Sequence, residues 1–112
     1  MKGIGGNQTG TIQTRTITKN EIGEGVPTWT DAQTLKGWLD LSGGSSGYTA
    51  FSAKVQESTH VFLCDYMPLA DGIQAENSRM TIGGKVYDVM LIDDPMEMHQ
   101  QLEIYLKYTG GV

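Results

Sequence analysis

Apolar residues recur at every second position in several short runs, which is the period of a strand with one buried face. The run Arg79 to Ile92 (RMTIGGKVYDVMLI) carries this pattern most clearly. Gly83-Gly84 divides it, and two adjacent glycines can take the positive φ angles of a type I′ hairpin turn. That register sets Ile82 opposite Lys85, Thr81 opposite Val86 and Met80 opposite Tyr87. Met80, Ile82, Tyr87, Val89 and Leu91 then share the half-buried face. Gln101 to Tyr108 alternates again, with Leu102, Ile104, Leu106 and Tyr108 on one side. His60 to Tyr66 is apolar on both sides, Val61 and Leu63 against Phe62, Cys64 and Tyr66, as in a central or interface-covered strand.

The first half is less regular. Residues 1–10 hold four glycines and no apolar period, and read as a flexible terminus. Thr11 to Thr18 (TIQTRTIT) is rich in strand-favouring threonine and isoleucine. Ile12 and Ile17 are an odd number of positions apart, so a bulge or a change of face is needed to reconcile them. Asn20 to Pro27 (NEIGEGVP) reads as a loop. Thr34 to Leu41 (TLKGWLDL) reads as a strand with Leu35, Gly37, Leu39 and Leu41 on one face; a short amphipathic helix competes, weakened by Gly37 and the flanking threonines. Ser42 to Gly47 (SGGSSG) has the composition of a flexible linker, and Tyr48 to Ser58 reads as a short helix or a loop that orders on contact.

The sum is five or six short strands, one long excursion over residues 42–58 and at most one short helix. In a chain of 112 residues this suits a mostly β fold: a small closed or partly open barrel over residues 11–112, since closure removes exposed strand edges. One domain fits that length and two do not.

Composition narrows the function. Fifteen glycines against three prolines suit many turns, and a single cysteine rules out both an internal disulfide framework and a cysteine-based zinc site. No run approaches the roughly 20 apolar residues that cross a bilayer, and the expectation is a soluble protein with no membrane partner. The net charge is −5, and the excess lies late: after Ser58 only Arg79, Lys85 and Lys107 stand against eight carboxylates. Tight nucleic-acid binding draws on Lys and Arg to neutralise phosphates, so this balance argues against gripping DNA.

No catalytic constellation emerges. His60 and Cys64 share a strand face but lie about 13 Å apart along an extended chain, too far for a dyad, and Cys64 fits a small core residue better. Asp93, Asp94, Glu97 and His99 could be imagined around a metal, yet Asp-Asp-Pro is more simply a turn that ends a strand. Gly43-Gly44 and Gly83-Gly84 lack the residues that follow a phosphate loop. Trp29, Trp38 and Tyr105 could form a stacking platform for single-stranded nucleic acid, against which the acidic balance counts. Met90, beside Val86 and Ile92, makes the second face of the hairpin partly apolar, so that face needs a cover. Catalytic, metal and cofactor sites are therefore all expected to be lacking.

The order of motifs resembles a known family. A threonine-rich strand and a glycine-containing turn precede Thr28-Trp29-Thr30-Asp31 and Leu35-Lys36-Gly37-Trp38-Leu39, and Arg79 to Val89 with a final apolar strand close the chain. This is similar to the head–tail joining proteins of long-tailed phages (stopper, head-completion or neck connector proteins), in particular the type found in PBSX-like prophages. The resemblance implies a small β-barrel with a long excursion, assembled as a ring in the virion neck between the portal or adaptor protein and a tail-side joining protein. In stopper members the excursion helps to close the channel holding packaged double-stranded DNA.

Carried over by position, that loop is residues 42–58, with Gly43, Gly44, Tyr48, Phe51, Lys54 and Val55 as candidate assembly or channel residues. Candidate subunit contacts are Glu21 and Val26 in the first turn, and Val86, Met90 and Ile92 on the hairpin's second face. The expected role is a non-enzymatic neck component, assembled in the host cytoplasm and carried in the virion, past which DNA moves without tight binding. The rival reading is a free-standing small-barrel module for a peptide or single-stranded nucleic acid.

Overall fold

A computed structural model describes residues 5–41 and 58–108. Within them are six strands: β1 (Gln8–Lys19), β2 (Gly25–Leu41), β3 (His60–Asp65), β4 (Ser78–Ile82), β5 (Lys85–Asp93) and β6 (Gln101–Tyr108). They pair antiparallel in the order β1-β2-β3-β6-β5-β4, and β4 returns to β1 to close the barrel. Two single 3-10 turns, Ala75–Asn77 and Pro95–Glu97, are the only helical segments among the described residues. The candidate helix or loop from Tyr48 lies almost wholly outside the described residues, as do Gly43, Gly44, Phe51, Lys54 and Val55.

The core is the alternation read from the inside. Ile12, Leu35, Phe62, Cys64, Met80, Ile82, Tyr87, Val89, Leu102, Ile104 and Leu106 are buried together. Gly83 and Gly84 take φ of 58° and 82°, and the hairpin has the expected register, Ile82 with Lys85 and Met80 with Tyr87. At one end of the barrel Leu69, Ile73 and Ala75 pack against the core from the link between β3 and β4. Gln33 fastens that link: its Nε2 donates to the Pro68 carbonyl (3.2 Å) and its Oε1 accepts from the Ala70 N–H (2.7 Å). At the other end His60 packs edge-on to Tyr87 (ring centroids 5.2 Å apart) and to Tyr108.

Five expectations change. The strand expected from Thr11 begins at Gln8, and the Asn20 to Pro27 loop shrinks to a turn because Gly25, Val26 and Pro27 already pair with Lys19, Thr18 and Ile17. A bulge does occur beside Ile12, but the extra residue is Ala32 of β2; Ile17 is not brought back to the core and is exposed. Leu41 is exposed where β2 outruns the core. On β5 a second bulge, at Met90, exchanges the faces beyond Val89. Ile92 therefore pairs with the fully buried Ile104 and packs against the core, while Leu91 pairs with Tyr105. The reading that put Leu91 inside and Ile92 on the outer face is thus reversed.

Candidate functional site

The barrel has no cleft among its described residues, and its chemistry-bearing side chains are spent on structure. Cys64 is buried, and burial, with the Asp65 charge adding to it, pushes its thiol up to about 11, leaving it protonated at neutral pH. His60 accepts or donates at Thr59 Oγ1 (2.8 Å) and is held by tyrosine rings. No group of three or more metal-ligating side chains converges among the described residues. His99 instead pairs with Asp94 and stacks on Tyr66 (centroids 4.6 Å apart), pinning the link between β5 and β6. In that link Met96, Glu97 and His99 all take left-handed φ values of 54° to 56°, a conformation that costs non-glycine residues about 1 kcal/mol or more each. The side chain of Met96 is 88% exposed there.

What the structure offers is surface, and its most distinctive part is an arm. The strand β4 covers β1 only from Gly10 to Thr14, and β3 covers β2 only from Gly37 to Leu41. Beyond Thr14, β1 pairs with β2 alone as far as Lys19 with Gly25. At about 3.4 Å per residue the free ribbon reaches roughly 17 Å past the sheet. Its tip is tightly made: Asn20 Oδ1 accepts from the N–H groups of Ile22 (3.0 Å) and Glu24 (2.9 Å), and Gly23 takes φ of 85°. This turn holds Ile22 outward, 77% exposed, with Ile17 (62%) and Val26 (39%) along the ribbon. Glu21 stands exposed at the same tip.

The ribbon has two distinct faces, because paired residues share a side. Thr14, Thr16, Thr18, Thr28 and Thr30 line one of them, with the Thr18 and Thr28 hydroxyls 3.2 Å apart. The other carries Arg15, Ile17 and Lys19 beside Trp29, Pro27 and Gly25. At its root the outer face is braced: Arg79 donates from Nε to Gln13 Oε1 (2.7 Å), Gln13 donates from Nε2 to Asp31 Oδ1 (2.7 Å), and the Arg79 guanidinium lies 4.3 Å from the Trp29 ring centre. A two-stranded ribbon is marginal in water, and this brace supports it where the barrel stops.

On the opposite side of the barrel β5 and β6 present Leu91 beside Tyr105 and Asp93 beside Glu103. Glu103 accepts from Tyr105 Oη (2.9 Å) and Gln101 Nε2 (2.8 Å). Burial, reinforced by the charges of Glu103 and Asp94, raises Asp93 above its ordinary value. Burial also raises Tyr105, to about 12, together with its bond to Glu103.

The expected contact residues are therefore spread apart. Val26 and Glu21 lie on the arm, Val86 and Met90 are half-buried on the hairpin, and Ile92 is turned inward. Trp29 is engaged by Arg79, while Trp38 and Tyr105 lie on strands separated by β3. The arm itself went unread, although the odd spacing of Ile12 and Ile17 was its signal: Ile17 does not return to the core because the ribbon has left it.

The solution structure of protein SF1141 from Shigella flexneri 2a has a similar fold, with a TM-score of 0.66, 23% identity and 98% of each chain covered. A chain of the native gene transfer agent virion particle is also similar, with a TM-score of 0.57, 12% identity, and 89% of this chain and 91% of that one covered. No curated protein matches the sequence. The family model of the phage head completion proteins matches residues 1–107, nearly the whole chain. That match spans far more than half of the sequence, and the chain belongs to the phage head completion protein family.

Proposed function

We propose that this virion protein is a neck subunit that joins the DNA-filled head, on its portal side, to the tail. In this reading copies assemble as a ring in the host cytoplasm, between a portal or adaptor protein and a tail-side joining protein. Residues 42–58 supply the loop that helps close the DNA channel. The observation that carries the reading is the arm: β1 and β2 run on past the closed barrel as an uncovered ribbon that holds Ile17, Ile22 and Val26 out in water. Exposed aliphatic groups on a ribbon braced at its root favour contact with another protein, since burial there returns about 25 cal/mol per Å².

The acidic balance fits a conduit. A net charge of −5 leaves few cations to bind phosphates, so DNA passes without being held by many salt bridges. Deletion of residues 43–57 tests the loop assignment. The barrel should stay folded by circular dichroism, while particles lose joined tails or leak DNA. Normal infectious particles from that deletion would overturn it.

A further inference from the structure

The ring reading leaves open which surfaces meet. In the strand order β1-β2-β3-β6-β5-β4 the arm strands β1 and β2 lie across the barrel from β6 and β5. The arm's outer face is basic and aliphatic, with Arg15, Ile17 and Lys19 all exposed. Across the barrel, at the same end, the outer face is acidic and aliphatic: Asp93 stands opposite Glu103, and Leu91 is the next outward residue on β5. Like charges directly opposite one another on neighbouring strands are unfavourable. The sole ion pair among the described residues is His99 with Asp94, so neither Asp93 nor Glu103 has a cation at bonding distance within its own described chain.

Complementary patches on opposite sides of one subunit are the requirement for a head-to-tail contact that closes into a ring; a two-fold dimer needs one self-complementary patch instead. We propose that the outer face of the arm, Arg15, Ile17 and Lys19, seats on the Leu91, Asp93 and Glu103 face of a second copy of this chain. The contact covers Ile17 with Leu91 and brings two cations to two carboxylates that repel each other in the free subunit. The inference rests on the ring reading above and adds its two surfaces.

Two experiments on particles made in cells that carry the full-length chain test it. Ile17→Cys with Leu91→Cys, treated with a short bis-maleimide, should give a ladder of covalent multimers beyond the dimer, and either single variant should not. Cys64 is buried with a raised thiol pKa and stays unlabelled. Incorporation of the double variant without a ladder overturns the contact and leaves the neck reading standing. Charge reversal supplies the second arm: R15E with K19E should lower particle yield by about tenfold or more, and adding D93K with E103K should recover most of it. Reversal without effect, or without recovery, overturns the proposal. Absence of the wild-type chain from particles overturns the neck reading itself.

Discussion

Closure of the barrel depends on how tightly β2 meets β3, and Gly37→Ala tests it directly. Gly37 is buried and pairs with Cys64. A methyl group there would run into the backbone carbonyl of Leu63 and approach the Cys64 Cβ to 2.9 Å. Favourable carbon contacts begin near 3.5 Å, so the two strands must part by more than half an ångström at a point flanked by fully buried Phe62. Overpacking of this kind costs about 1–3 kcal/mol, and the backbone collision places Gly37 at the upper end. Alanine returns about 0.4–1 kcal/mol by restricting the unfolded chain, leaving a net loss of roughly 2 kcal/mol. For a domain of this size that lowers the midpoint of thermal unfolding by about 8–15 °C.

Gly83→Ala is the control. It meets no neighbour within 4 Å and has φ of 58°, so its cost is confined to the left-handed backbone, about 1 kcal/mol. Differential scanning calorimetry of both variants compares them. A Gly37→Ala midpoint within about 2 °C of wild type would refute the close approach of β2 and β3, and with it the sealed core.

Asp93→Asn should raise the unfolding midpoint at pH 7: the raised Asp93 pKa makes its charged form unfavourable in the fold, so native stability falls as pH rises through that pKa. The gain should vanish below about pH 4, where Asp93 is protonated in both states, as a pH series of melts would show. Cys64 should react with a thiol reagent at pH 8 at least about a hundredfold more slowly than in urea-unfolded chain, given a thiol pushed up to about 11. Gln33→Ala removes both bonds to the link between β3 and β4, costing about 1 kcal/mol and speeding proteolysis near Pro68. Mixed single-stranded DNA should leave tryptophan fluorescence unquenched at micromolar concentration in low salt; salt-sensitive quenching would favour a nucleic-acid-binding module.

The hairpin from Arg79 was legible because its signals agree: apolar alternation, and two glycines where both φ values must be positive. The same alternation misled beyond Val89, since a bulge changes parity and Met90 carries no mark of one. The free arm left one trace, the odd spacing of Ile12 and Ile17, and was otherwise hidden. Threonine at every second position suits a strand whether or not a third strand covers it, and Gly25 and Pro27 signal a loop while tolerating an uncovered ribbon. The left-handed backbone at Met96, Glu97 and His99 was equally hidden, because none of the three is glycine. Of the contact residues proposed above, Val26 and Glu21 are suggested by the family resemblance alone, whereas Arg15, Ile17, Asp93 and Glu103 follow only from the strand order.

The most direct measurement pairs stability with assembly in the variant Ile17→Thr, Ile22→Ser, Val26→Thr. All three side chains are exposed and lie outside the core, and surface changes of this kind usually shift stability by no more than about 0.5 kcal/mol each. The melting midpoint should stay within about 10 °C of wild type while the yield of particles with joined tails collapses. Full particle yield from a folded variant would show that the arm has no part in assembly and would contradict the account.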